Sequence, residues 1–230
     1  MSVFYYGDAL TNLKKQKSQS IDLIYFDPPF ATTQNYWDEP QDWKSIFQEC
    51  FRVLKTIGML VIHCSIPFNY ELISAAPKPP SHTWYWTKDS HTNPMLSKIQ
   101  PLRNTEEILV WKNKKSVYYP QKIGTEPQKS TYMTKSDYYG TDTRNKTCTW
   151  NIGKYRTHHI TMKRDIQGYS TRPKELVELM INSYSKEGDT ILDLFCYKGL
   201  SYECKGNRKW IGFDKYFIPT MLLKTDEATN

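Results

Sequence analysis

The chain has 230 residues, 39% hydrophobic and 24% charged, enough apolar material for one globular domain with its own core and no need of a second. Its five cysteines (Cys50, Cys64, Cys148, Cys196, Cys204) are odd in number and include no Cys-x-x-Cys pair, which argues against a disulfide framework or a zinc site and for a reducing compartment. The N-terminus lacks a basic region leading into an apolar one, and no apolar run approaches about 18 residues, so the expectation is an intracellular protein of the cytoplasm or nucleoid, with no membrane partner.

Ile21 to Phe26 reads as a short buried strand, and Asp27-Pro28-Pro29-Phe30 follows it directly. This tetrapeptide has the parts needed to activate an aromatic amine. The exocyclic amine of adenine or cytosine is a poor nucleophile because its lone pair is conjugated into the ring, and two acceptors on its N–H bonds draw it out. Asp27 supplies one acceptor and the carbonyl of Pro28, held by two fixed φ angles, a second. Phe30 offers a flat face for the base. The plain alternative is a strand ending in a Pro-Pro turn with an incidental acid.

From Asp42, the positions Trp43, Ile46, Phe47, Cys50, Val53 and Leu54 recur at helical spacing, with Gly58 as the expected stop. Met59 to Cys64 reads as a second buried strand. Strand, crossover helix and strand imply a parallel sheet, whose ligand sites lie beyond the carboxyl ends of its strands. Asp27 falls at such an end. So does His63, which reads as a satisfied core residue and receives no role. Thr83 to Lys88 and Glu106 to Trp111 read as further strands, separated by an irregular, turn-rich stretch from Asp89 to Arg103.

The net charge of +7 is concentrated: Lys112 to Arg172 carries 13 Lys and Arg against four acids, a local +9, while the rest of the chain carries −2. Seven tyrosines and Trp150 lie among those charges, the composition expected where phosphates and unstacked bases are handled. Residues 112–170 are therefore the expected nucleic-acid or target-recognition insertion, with Lys112, Lys114, Lys115, Arg144, Lys154, Arg156, Lys163 and Arg164 as the candidate phosphate contacts. A solvated insertion is the alternative. Without sustained periodicity, the stretch reads as loops and short elements. His158-His159 has no carboxylate or cysteine at ligand spacing, so no metal is expected.

A helix begins near Pro173 and buries Leu176, Val177, Leu179, Met180 and Ile181. Thr190 to Phe195 forms a strand, a short helical stretch leads to Gly206, and Lys209 to Asp214 forms the next strand, a second parallel unit.

Three blocks resemble the amino-methylating, S-adenosylmethionine-dependent DNA methyltransferases in the permuted motif order called the beta group: YYGDALTNL through DLIYFDPPF to RVLKTIGMLVI; WYWTKD with RNTEEILVWKNKKSVYYPQ; and STRPKELVELMI, GDTILDLFCYKG and GNRKWIGFD. The resemblance implies an α/β, Rossmann-like methyltransferase domain over residues 1–230 with a mostly parallel central sheet. It implies S-adenosylmethionine as cofactor, double-stranded DNA as partner, and site-specific methylation of a flipped base, as in restriction-modification systems. A homodimer or a partner subunit is compatible with it. Asp27, Pro28, Pro29 and Phe30 would be the catalytic loop, and a DPPF-type tetrapeptide points to adenine N6 over cytosine N4; an RNA adenine remains an alternative. Asp8 would lie near the cofactor's adenine. Ser170, Thr171, Arg172 and Pro173 stand where the family has Thr, a polar residue, Lys and Pro, and would hold the methionine end. Asp193, Phe195, Lys198 and Gly199 belong to the cofactor loop, and Asp214 would accept from the ribose hydroxyls.

That loop departs from the family's Asp-Pro-Phe-x-Gly-x-Gly-Thr, because Tyr197 replaces the first glycine. The segment from Phe195 to Gly206 is about two residues short, so the following helix must be abbreviated or tilted. Either the loop has adapted, with Lys198 meeting the cofactor's carboxylate and the Tyr197 ring turned away or along the adenosine, or the chain is a non-catalytic nucleic-acid-binding subunit.

Overall fold

A computed structural model describes residues 2–92, 94–113, 115–126, 128–133, 145–150, 153–165 and 172–219. It divides into two units, Met1–Tyr119 with His158–Asn230, and Pro120–Thr157. The larger holds an eight-stranded sheet. In chain order its elements are β1 (Ser2–Tyr6), α1 (Ala9–Lys14), β2 (Ile21–Phe26), α2 (Trp43–Val53), β3 (Leu54–Cys64), α3 (Phe68–Ala75), β4 (His82–Thr92) and β5 (Arg103–Lys112). The smaller unit has one antiparallel pair, β6 (Gln128–Met133) and β7 (Asn145–Trp150), and an isolated bridge between Ile123 and Lys154. The larger unit resumes with β8 (His159–Thr161), α4 (Lys174–Tyr184), β9 (Thr190–Asp193), α5 (Leu200–Glu203) and β10 (Lys209–Asp214).

The sheet order is β1-β10-β9-β2-β3-β5-β4-β8, parallel from β1 to β3, with β5 antiparallel to both β3 and β4. Alternation along β2 divides the core between the two faces: Ile24 and Phe26 pack with α1, α2 and α3, whereas Leu23 and Tyr25 pack with α4. Every residue of β2 is buried, as expected of a strand with neighbours on both sides and helices over both faces.

Asp42 caps α2 through Ser45 N at 3.1 Å, and the helix buries Trp43, Ile46, Phe47, Cys50 and Val53, as its spacing predicts. Gly58 does not stop it. The helix runs straight into β3 at Leu54, and Gly58 lies inside that strand, where the β2 pairing slips between Ile21↔Leu54 and Leu23↔Met59. A β-carbon there would stand 2.9 Å from Leu54 Cδ2 and 3.0 Å from the Ile21 carbonyl, so the glycine admits a close backbone approach at a bulge. The stretch from Asp89 is also more regular than expected, since β4 continues to Thr92. Strand β9 stops at Asp193, two residues before the expected Phe195.

Candidate active site

Strands β2, β9 and β10 run in the same direction, and the strand order reverses between β2 and β9, the place where open parallel sheets bind ligands. A cleft of about 810 Å³ opens there, within the range of roughly 300–1,000 Å³ typical of ligand pockets. Asp8, Asp27, Asp193 and Asp214 all line it, each at or just past the carboxyl end of a strand.

Asp27 is held by an ion pair. Its Oδ2 pairs with an Arg172 Nη, whereas Oδ1, although buried, has no hydrogen-bond partner. Burial pushes the carboxyl up, to about 7, against the opposing pull of Arg172; the Glu106 carboxylate adds to the rise. The side chain keeps 32% of its surface open. Pro28, Pro29 and Phe30 also line the cleft. The Phe30 ring stacks on Phe68 at 4.9 Å, so only its other face can receive a base.

The loop after β9 is held by two carboxylates. Asp193 Oδ1 accepts from Phe195 N at 3.2 Å, and its Oδ2 accepts from the Ser201 hydroxyl. Burial pushes Asp193 up to about 7 despite these bonds. Asp214 Oδ2 accepts from Tyr197 N, and Oδ1 from Tyr216 N and Phe217 N, each at 2.8 Å. Three of its roughly four lone-pair positions are therefore engaged by backbone. The loop turns as a glycine would: Gly199 N donates to the Cys196 carbonyl at 2.7 Å, and Tyr197 takes a φ of +47°. Its ring packs edge-on against Phe217 at 4.4 Å, and the Lys198 ammonium lies 5.4 Å from that ring. Gly199, at φ +88°, begins α5, which is only four residues long, the abbreviation the short sequence requires. Phe195 packs against Phe26 and Trp43, and the Asp8 carboxylate caps α1 through Thr11 N at 2.7 Å.

Arg172 and Pro173 stand immediately before α4, and Ser170 and Thr171 lie outside the described residues. The Arg172 guanidinium reaches Asp27, Glu106 and His63. Neither Glu106 nor its second partner, Lys88, was foreseen as part of the site. Lys112, Lys115 and Lys163 are exposed on the larger unit; Arg164 there pairs with Asp89 at 3.9 Å. Lys154, exposed, and half-buried Arg156 belong to the smaller unit, and Lys114 and Arg144 lie outside the described residues. Among the described residues no group of three or more His, Cys, Asp or Glu could hold a metal ion, and no helix is long and apolar enough to cross a membrane.

Comparison with known proteins agrees with this geometry. The chain is 27% identical to the type II methyltransferase M.HpaI of Haemophilus parainfluenzae, over 97% of this chain and 74% of that protein. It is 24% identical to M.BamHI of Bacillus amyloliquefaciens, spanning 91% of this chain but about half (53%) of that relative. A shorter match, 38% identical over 66 residues, joins it to the DNA adenine methyltransferase YhdJ of Escherichia coli strain K12, covering 25% of this chain and 22% of YhdJ. The fold matches the crystal structure of the M1.HpyAVI complex with S-adenosylmethionine at a TM-score of 0.66 and 17% identity, covering 98% of this chain and all of that one. The N6/N4 methyltransferase family model, described as DNA methylase, matches residues 21–217, from β2 to Phe217, and the chain belongs to that family.

Proposed function

We propose that this protein transfers a methyl group from S-adenosylmethionine to the N6 amine of an adenine turned out of duplex DNA. The observation that carries the reading is Asp27, which lines the cleft: one carboxylate oxygen is fixed by Arg172, and the other is buried and unpartnered. A buried acceptor without a donor is costly unless a ligand supplies one. An exocyclic amine does so, with Oδ1 and the Pro28 carbonyl taking its two N–H bonds and raising the nitrogen's lone pair out of the ring plane. Phe30 receives the ring on the face that Phe68 leaves open.

S-adenosylmethionine supplies an electrophilic methyl on a sulfonium. Around it the chain's own residues position and exclude. Asp8, Phe195, Lys198 and Gly199 are assigned to the donor's nucleoside and methionine ends, with Pro173 and the undescribed Ser170 and Thr171 beside them. Asp193 and Asp214 hold the loop, and Asp214 is also assigned to the ribose hydroxyls. Asp27 accepts a hydrogen bond while the amine nitrogen bonds to the methyl carbon and the carbon–sulfur bond breaks, leaving S-adenosylhomocysteine; the amine proton then passes to solvent, so a carboxylate without unusual basicity suffices. The base must leave the stack to reach it. The basic 112–170 stretch, with Lys112, Lys114, Lys115, Arg144, Lys154, Arg156, Lys163 and Arg164, is assigned to the phosphates around the vacated position.

Adenine is favoured over cytosine by the DPPF tetrapeptide and by the local likeness to an adenine methyltransferase. The test is mass spectrometry of nucleosides from DNA treated with the protein and methyl-labelled cofactor. N6-methyldeoxyadenosine is expected with wild type and none with Asp27→Ala, which should still bind DNA. N4-methyldeoxycytidine would overturn the choice of base, and the absence of any methylated nucleoside would overturn the reaction.

A further inference from the structure

Arg172 stands where the resemblance placed a residue for the cofactor's methionine end, yet its side chain, only 12% exposed, is turned toward protein. One Nη pairs with Asp27 Oδ2, the other lies 3.1 Å from Glu106 Oε2 as an ion pair without hydrogen-bond geometry, and Nε donates to His63 Nδ1 at 3.3 Å. A planar guanidinium held by one hydrogen bond and two ion pairs has little freedom to turn. Its partners are fixed in turn. Glu106 Oε1 pairs with Lys88, both nearly buried, on neighbouring strands β5 and β4. With Nδ1 accepting from Arg172, the neutral His63 ring carries its proton on Nε2, which donates to the Tyr25 hydroxyl at 2.8 Å. Burial and the neighbouring Arg172 charge hold that imidazole well below its ordinary pKa, so it stays neutral.

We propose that Arg172 is a positioning residue for Asp27, clamping Oδ2 so that Oδ1 alone faces the incoming amine, with Glu106, Lys88 and His63 holding the clamp. The proposal rests on the amine-methylation reading and adds to it a means of aiming the acceptor. A carboxylate on two rotatable bonds would otherwise spread its two oxygens over many directions, and misplacement of the acceptor weakens amine polarisation before it weakens binding. Arginine suits the task because it bridges two carboxylates at once, whereas a lysine is a point charge. The charges also oppose one another: Arg172 favours the ionised form of Asp27, and Glu106 disfavours it.

The experiment compares wild type with Arg172→Met, Arg172→Lys and Glu106→Gln. It measures kcat and KM across pH on duplex DNA, and binding of S-adenosylhomocysteine by calorimetry. In Arg172→Met, kcat should fall by about 100-fold or more, the scale seen when one preorganised polar group is lost from an active site. Its acid limb should move up by about 1–3 pH units, the span ascribed to a neighbouring opposite charge. Arg172→Lys keeps the charge and should keep the limb while losing part of kcat. Glu106→Gln should move the limb down. Binding of S-adenosylhomocysteine should stay within about threefold throughout, because the guanidinium is already taken up by Asp27, Glu106 and His63; a tenfold change would correspond to about 1.4 kcal/mol. If Arg172→Met fails to fold, the lysine and glutamine variants decide alone: a held limb in one and a lowered limb in the other support the clamp. Weakened S-adenosylhomocysteine binding with an unmoved limb would overturn it and return Arg172 to the cofactor. Absence of methyl transfer by wild type would instead fail the reaction itself.

Discussion

Asp214→Asn separates a carboxylate that builds the loop after β9 from one that serves only the cofactor contact proposed for it. In the wild type, Oδ2 accepts from Tyr197 N and Oδ1 from Tyr216 N and Phe217 N, and the residue is 7% exposed. Asparagine has one oxygen. If it keeps Tyr216 and Phe217, its NH2 group faces the Tyr197 N–H, donor against donor. One hydrogen bond to a charged acceptor, about 1.5–3 kcal/mol, is lost, and the other two weaken as the acceptor becomes neutral. Relief of the carboxylate's burial, which raises its pKa, offsets part of this. The expected net loss is about 2–3 kcal/mol, which at a urea slope of roughly 3 kcal/mol per molar lowers the midpoint by just under about 1 M. The assay is urea unfolding followed by tryptophan fluorescence, paired with S-adenosylhomocysteine calorimetry. A midpoint unchanged within about 0.2 M, with binding weakened all the same, would refute the loop-building role and leave only the ribose contact.

Tyr197→Gly removes a left-handed strain of about 1–2 kcal/mol and an aromatic contact with Phe217 of about 0.5–1.5 kcal/mol, so stability should stay within about 1 kcal/mol while S-adenosylhomocysteine affinity holds or improves; weaker binding would show that the ring itself contacts the cofactor. Gly212→Ala places a methyl group 2.0 Å from Trp210 Cη2, and that ring, fully buried and bonded to Ser201, has no room to retreat. The overpacking should cost about 1–3 kcal/mol, seen in calorimetry as a Tm lowered by roughly 3–10 °C. Charge reversal at Lys154 and Arg156 together should flatten the log–log salt dependence of duplex binding by about 0.9 per phosphate contact removed; an unchanged slope would place the phosphates elsewhere.

The buried parallel strands were the most legible part of the sequence. β2 and β10 have the expected bounds because a strand covered on both faces must be apolar along its length. β1 was missed: its Val3–Tyr6 run is short, lies at the very start of the chain, and sits at the sheet edge, where Ser2–Tyr6 stays largely exposed. The hairpin of β6 and β7 is QKSTYM against NKTCTW, too polar for periodicity to register. In the site, Asp27, Asp193 and Asp214 were readable because each directly follows or ends a recognisable strand. The Asp27–Arg172–Glu106–Lys88 network was not, because it joins residues far apart in the chain, and Glu106 at the head of EEILVW reads as a solvent-facing charge. The stack of Phe30 on Phe68 was hidden for the same reason, since only the folded path brings α3 to the Asp27–Phe30 tetrapeptide.

The pairing of β2 with β9 also sets the order of events at the ribosome. β2 and β3 are close in sequence and can pair early, but the other edge of β2 waits for residues 190–193. At roughly 5–20 residues per second, the stretch of about 160 residues between them takes on the order of 10–30 s to emerge. Throughout that interval Ile21–Phe26, an apolar strand without Pro or Gly, has one open side, the kind of edge that templates association between nascent chains. Slow translation across the basic middle segment should therefore lower the soluble yield, and a chaperone that shields this edge until β9 arrives should restore it.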